Sequence, residues 1–290
     1  MSKPRCLITG ASGFLGWNLC KEAAKKWEVF GTYNSTKIGE EFCKSGRCDL
    51  EDYQETAAVL DHVKPEVVFH LAAISNPNAC AEDPRLSEKI NFESSFRLAE
   101  MCADRGIKFL FTSTDLVFDG LHGNYRESDP VNPVNHYGEH KAMAEEAILA
   151  LNSAAVICRM PLMYGKSSIG RKSFLELMIG SLLKKEKLKL FTDEFRSIAS
   201  ASCASTGMIS TALNASGLIH LGGPERLSRI AMGEELVAHM RVSSSLIKAC
   251  QQKDLKFKAA RPADVSLNSQ QAFDLGYSPL TFSAALKEQF

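Results

Sequence analysis

The sequence predicts an α/β protein: a doubly wound parallel sheet with helices on both faces and a smaller C-terminal lobe. Three observations carry this prediction. A short apolar run, Cys6-Leu7-Ile8-Thr9, passes through a glycine turn straight into a helical segment. Further runs of the kind used by buried parallel strands follow at Val29–Tyr33, Val67–Ala73, Phe109–Ser113 and Ala155–Arg159, with helical segments between them. The 290 residues suit one large α/β unit plus a smaller lobe. The expected division is a sheet domain over 1–165 and a mainly lobe-forming segment over 166–290, with a strand near 217–222 returning to the sheet.

The first turn reads Gly10-Ala11-Ser12-Gly13-Phe14-Leu15-Gly16 and opens a helix over Leu15–Lys26, whose Leu15, Leu19, Ala23 and Trp27 share a face. Strand, glycine turn and helix in this order form the context of a dinucleotide fingerprint in a Rossmann-type sheet. Gly10 permits the tight turn, Gly13 lets a pyrophosphate approach the backbone, and Gly16 lets the helix sit close to the strand. Ser12, Phe14 and Leu15 join them as cofactor-binding candidates, because free N–H groups at the helix start receive phosphate charge. The second strand ends in Asn34-Ser35-Thr36-Lys37. An NAD site wants an acid near here for the ribose 2′-hydroxyl, and none stands between Thr32 and Lys37. Hydroxyls, an amide and a lysine suit a 2′-phosphate, so NADP(H) is favoured over NAD(H), with Asn34 and Ser35 as candidates. The same residues also read as a plain polar loop.

Next, Cys48-Asp49-Leu50 ends a short strand before a helix over Asp52–Val63, and the strand Val67–Ala73 runs into small residues. His70 reads as a packed strand residue. A loop from Ile74 to Pro84 follows, with Ser75 as a substrate-contact candidate, and then a long helix over Pro84–Arg105 that carries Asn91.

The strand Phe109–Ser113 ends in the hydroxyl cluster Thr112-Ser113-Thr114, and Tyr137 and Lys141 stand four apart at the start of an Ala/Glu-rich helical segment. Residues so spaced share a helix face. An ammonium beside a phenol favours phenolate and is expected to lower a pKa that is ordinarily about 10. A tyrosine tuned in this way exchanges a proton near neutral pH, and Thr114 at the neighbouring strand end would hold the oxygen being protonated. Such a pair also arises by chance in helices; the cofactor turn upstream, in the right order, decides for chemistry. His136 and His140 flank the pair and read as exposed helix-start residues.

The Gly-x-x-Gly-x-x-Gly spacing together with Tyr137 and Lys141 resembles the extended branch of the short-chain dehydrogenase/reductase superfamily. Ser113-Thr114-Asp115-Leu116-Val117-Phe118-Asp119-Gly120 resembles the Ser-Thr-Asp-Tyr-Val-Phe-Asp-Gly signature of dTDP-4-dehydrorhamnose reductases, with leucine at 116 where that family has tyrosine. Arg261-Pro262-Ala263-Asp264-Val265-Ser266-Leu267-Asn268 resembles a late signature of the same family, and the order of motifs covers essentially the whole chain.

The resemblance implies reduction of a keto group on a nucleotide-linked deoxysugar by NADPH. Thr114, Tyr137 and Lys141 would be catalytic, with Tyr137 and Lys141 also touching the cofactor. It places Asp49, beside Leu50, at the adenine amino group, although an N-cap for the following helix is the rival reading. Leu71, Ala72 and Ala73 would lie under the cofactor, Asn91 would support the site, and the turn Met160–Gly165 would meet the nicotinamide. Asp115, Phe118 and Arg196 join Ser75 as substrate candidates. Arg261 either binds the diphosphate or pins the tail to the lobe. Two other readings share these motifs: a nucleotide-sugar epimerase or dehydratase, and a non-catalytic NADP-binding regulatory subunit resembling the β-subunit of methionine adenosyltransferase. Asp115-Leu116 lacks the glutamate a dehydratase uses at this point.

Composition narrows the rest. Lysine plus arginine and aspartate plus glutamate are 34 each, and no basic stripe is present, so neither nucleic acid nor an anionic membrane is an expected partner. Lys184-Lys185-Glu186-Lys187 reads as a solvated helix end. Nine dispersed cysteines without Cys-x-x-Cys imply reduced thiols in a cytoplasmic protein, and no set of metal ligands is assigned. No run is long and apolar enough for a membrane span, and the first residues run directly into a strand with no room for a signal peptide. A homodimer is the expected assembly state.

Overall fold

The computed structural model describes residues 3–167 and 172–289. Its centre is a seven-stranded sheet. Six strands come from the first part of the chain: β1 (Arg5–Thr9), β2 (Glu28–Tyr33), β3 (Lys44–Arg47), β4 (Val67–His70), β5 (Lys108–Thr114) and β6 (Val156–Met160). The seventh, Gly217–His220, arrives later and pairs with β6. From one edge the order is Gly217–His220, β6, β5, β4, β1, β2, β3, and every pairing is parallel. The chain leaves β1 toward one edge, then returns to lay β4 on the other side of β1. That reversal opens a crevice at the carboxyl ends of β1 and β4.

Alternation along the strands explains why their sequences are continuously apolar. Cys6 and Ile8 belong to one buried layer with Leu19, Trp27, Phe69, Leu110 and Met208. Leu7, between them in sequence, belongs to the opposite layer with Leu60, Val68, Phe109, Phe111, Ile148 and Ile157. Successive side chains point to opposite faces, and helices cover both. Each such side chain contributes about 1.5–3 kcal/mol by leaving water.

The helices that position the site are α1 (Phe14–Ala23), α2 (Tyr53–Val63), α3 (Pro77–Glu82), α4 (Pro84–Glu88), α5 (Ser94–Asp104) and α6 (His136–Leu151). The long helix expected over Pro84–Arg105 is broken by a π turn at Lys89–Glu93 that separates α4 from α5. The loop expected from Ile74 to Pro84 contains α3, which Asn76 caps. In the lobe, the helices Phe174–Leu183 and Arg229–Met240 are capped by Ser173 and Ser228. They enclose a separate core of Leu175, Leu182, Met232, Leu236 and Phe282. A parallel pair, Leu188–Phe191 with Ile247–Cys250, flanks it.

Candidate active site

A cleft of 940 Å³ runs along the carboxyl ends of the strands and under the lobe. At one end the glycine turn is fixed by contact. A Cβ at Gly16 would stand 2.2 Å from the Gly10 carbonyl oxygen, and a Cβ at Gly10, whose φ is +66°, would stand 2.8 Å from the Ala72 backbone. No larger residue lets α1 start this close to β1. Gly13 is the N-cap of α1 and supplies no side chain to its first N–H groups. These are the unpaired donors that bind phosphate at a helix start.

The floor beside the turn is held from below. Thr9 Oγ1 accepts hydrogen bonds from the N–H groups of Leu71 at 3.1 Å and Ala72 at 3.2 Å. The same hydroxyl meets His70 Nδ1 at 2.7 Å, and Ser95 meets the other ring nitrogen at 2.9 Å. Burial pushes the His70 pKa down to about 3, so the ring is a neutral strut. Thr9 escaped the sequence reading; a hydroxyl closing an otherwise apolar strand was the signal.

Every cofactor-binding candidate lines this cleft: Gly10, Ser12, Gly13, Phe14, Leu15, Gly16, Asn34, Ser35, Asp49, Leu50, Leu71, Ala72, Ala73, Tyr137 and Lys141. The N-cap of α2 is Asp52, which accepts from the N–H groups of Gln54 and Glu55. Asp49 is therefore not the cap. It accepts from Glu51 N at 3.1 Å and faces the cleft. Arg47, which sequence reasoning passed over, reaches Asn34 Oδ1 with Nη2 at 3.4 Å and brings a guanidinium to the end of β2.

At the other end, Thr114, Tyr137 and Lys141 meet. Thr114 closes β5, and its hydroxyl accepts from Leu116 N at 3.2 Å. Tyr137 and Lys141 lie in the first turns of α6, which Asn135 caps. Gly138 lets that helix start touch the 115–117 turn, since a Cβ there would stand 2.1 Å from the Leu116 carbonyl oxygen. The electrostatics differ from expectation. Burial, with the nearby Asp115 and Cys80 adding to it, raises the Tyr137 pKa well above the ordinary phenol value; the Thr114 hydroxyl opposes this by hydrogen bonding. Lys141 is not among the groups that offset it; its ammonium sits 3.7 Å from the centre of the Phe111 ring. Burial also pushes Lys141 down to about 7, against the pull of Glu145. Desolvation outweighs the pairwise attraction in both groups.

The lobe side of the cleft is charged. Asp115, Arg196, Arg261 and Ser75 line it. Arg196 is buried and holds Asp115 at 3.1 Å and Glu194 at 3.4 Å. Arg261 lies 4.0 Å from Glu194 and 4.0 Å over the Phe257 ring. A third arginine, Arg229, was missed. It sits 3.4 Å from Glu194, lines the cleft, and has Nη1 buried without a hydrogen-bond partner among the described residues. Crowding by burial and by Arg196 and Arg261 lowers its pKa. A cation in the first turn of a helix opposes the helix dipole, and that misplacement was its signal in the sequence. Phe118, expected at the substrate, is corrected: it is fully buried off the cleft, stacked on Tyr125 at 4.2 Å and edge-on to His220. It follows the short turn Asp115–Val117 after β5 and packs into a small core with Val117, Tyr125, Val265 and Leu267. His140, expected to be exposed, is buried as well.

A glycine-turn crevice and a Thr–Tyr–Lys cluster facing one cleft define an NAD(P)-dependent oxidoreductase of the extended short-chain dehydrogenase/reductase class. Within it, the chain belongs to the RmlD substrate binding domain family, whose profile matches residues 4–290. It is 28% identical to the probable low-salt glycan biosynthesis reductase of Haloferax volcanii, over 98% of this chain and 97% of that protein. It is 26% identical to the methionine adenosyltransferase 2 subunit beta of Bos taurus, over 98% of this chain and 86% of that one. Among solved structures, a hypothetical dTDP-4-dehydrorhamnose reductase from Sulfolobus tokodaii superposes with a TM-score of 0.85 at 28% identity, covering 96% of this chain and 98% of that chain. The dTDP-4-dehydrorhamnose reductase of Bacillus anthracis, solved in complex with NADP, shares the fold with a TM-score of 0.87 at 21% identity, covering 99% of each chain. Among the described residues no helix is long and apolar enough to cross a membrane.

Proposed function

We propose that this protein reduces a keto group on a nucleotide-linked deoxysugar with NADPH as the hydride donor. The observation that carries the reading is the convergence of Thr114, Tyr137 and Lys141 on the cleft that also holds the glycine turn. The residues present fit a dinucleotide: the Gly10–Gly16 turn is a cradle that Cβ atoms would fill, and the start of α1 has unpaired donors. A bound nicotinamide supplies the hydride. Tyr137, held protonated by its burial, gives its proton to the ketone oxygen. Thr114 donates a hydrogen bond to that oxygen as charge develops. Lys141 holds the ribose of the nicotinamide nucleotide. Arg47, Asn34 and Ser35 favour the 2′-phosphate of NADP over NAD.

Three arginines against the carboxylates of Glu194 and Asp115 leave one positive charge in excess on the lobe side. Arg229 and Arg261 are suited to the diphosphate of the nucleotide. Assembly as a homodimer in a reducing cytoplasm accompanies this reading, and the nine cysteines are all unpaired. The test is NADPH oxidation, followed at the nicotinamide absorbance band, across a panel of 4-keto-6-deoxy nucleotide sugars. Oxidation with a panel member establishes the reaction. Tight NADPH binding without oxidation by any of them would favour a regulatory subunit, a reading supported by the 26% identity to methionine adenosyltransferase 2 subunit beta along nearly the whole chain.

A further inference from the structure

The first turns of α6 carry a second cluster that the reductase chemistry does not use. His136, Glu139 and His140 stand at i, i+3 and i+4 of one helix and share a side of it. One ligand atom from each lies within 4.8 Å of the other two. His136 Nδ1 is 3.1 Å from Glu139 Oε2, close to the separation of neighbouring ligands around a tetrahedral zinc ion with bonds of about 2 Å.

His140 is the anchored member. Its Nδ1 meets Ser87 Oγ at 2.9 Å, and Ser87 Oγ in turn accepts from Asn91 Nδ2 at 3.1 Å. No hydrogen bond among the described residues uses its Nε2. A ring whose Nδ1–H is given to a neighbour presents the Nε2 lone pair, which is how protein partners orient metal-bound imidazoles. The side chains of His136 and Glu139 are 47% and 56% exposed, so they swing onto an ion without disturbing the core. The two imidazole rings already lie nearly parallel, with centroids 5.9 Å apart.

We propose that His136, Glu139 and His140 form a site for a zinc-class divalent cation on the helix that carries Tyr137. Two imidazoles and one carboxylate select a borderline transition ion over magnesium, which prefers oxygen ligands in octahedral geometry. Three protein ligands leave the fourth position to water. The ion would staple the turn that contains Tyr137. It would also tie that turn, through His140, Ser87 and Asn91, to the Ile74 backbone that Asn91 holds at 2.9 Å beside Ser75 of the cleft.

The experiment titrates cobalt(II) into the metal-stripped full chain and follows the visible bands of the four-coordinate ion, with zinc and magnesium as competitors. One equivalent should bind, be displaced by zinc and be unaffected by magnesium. His136→Ala and Glu139→Gln should each weaken binding by at least about tenfold while melting at the parent temperature. Three outcomes would overturn the site: no binding to the parent protein, binding undiminished in both variants, or strong near-ultraviolet cobalt–thiolate bands that assign the ion to cysteines.

Discussion

Arg196 Nη1 lies 3.1 Å from Asp115 Oδ2, and both side chains are buried where the lobe meets the end of β5. Removing one partner strands the other. Arg196→Met should cost about 3–5 kcal/mol in denaturant unfolding. Desolvation already raises the Asp115 pKa, and without Arg196 it rises further. A carboxyl whose folded pKa exceeds its unfolded value loses stability as pH rises through that range. The deficit should therefore grow from acid toward neutral pH. Adding Asp115→Leu should restore most of the loss; a double variant as unstable as the single would exonerate the pair.

Tyr137→Phe removes the proton donor but keeps the ring. Turnover of the keto sugar should fall by about 10²–10⁴-fold, while NADPH affinity, read by fluorescence titration, stays near the parent value. A variant with full turnover would end the role assigned to Tyr137.

Lys141 provides a pH signature. Its pKa is pushed from 10.5 to about 7 by burial. Between these values the unfolded chain binds more protons than the folded one, so this lysine makes stability rise with pH. Below pH 7 the charge is buried in full. Lys141→Met should then be more stable than the parent by about 1–4 kcal/mol at pH 6, with the gap closing toward pH 10. A gap independent of pH would show that the lysine does not titrate in this window.

Arg229 is assigned to substrate charge. Arg229→Leu should raise KM for the nucleotide sugar by about 10–100-fold, the worth of a charge-assisted contact of about 1.5–3 kcal/mol, with a smaller change in kcat. An unchanged KM would restrict Arg229 to holding Glu194.

Gly138→Ala tests the seat of α6. The added methyl meets the Leu116 carbonyl oxygen at 2.1 Å, and relief requires the helix start to move. Unfolding studies should show a loss of about 1–3 kcal/mol, with kcat falling because Tyr137 moves too.

Local chemistry made the sheet and the cofactor end legible in sequence. Apolar runs and the Gly10–Gly16 turn each act within a few residues, and the structure has them. What escaped depends on distant burial. The i, i+4 spacing brings Tyr137 and Lys141 to one cleft, but it is silent about the desolvation that raises one pKa and drops the other. Phe118 sits in a motif beside site residues and turns into the core, where Tyr125 and His220 meet it. The π turn at Lys89–Glu93, which carries the buried Asn91, leaves no mark on helix periodicity. His140 is buried because Ser87, far off in sequence, arrives beside it.

The strand Gly217–His220 completes the sheet only after the chain has built part of the lobe. A gene cut after Gly165 would therefore yield a fragment whose sheet ends at β6, with a bare row of amide and carbonyl groups. Such a border recruits strands from other molecules. The two halves cannot be expressed as independent pieces without mending that border.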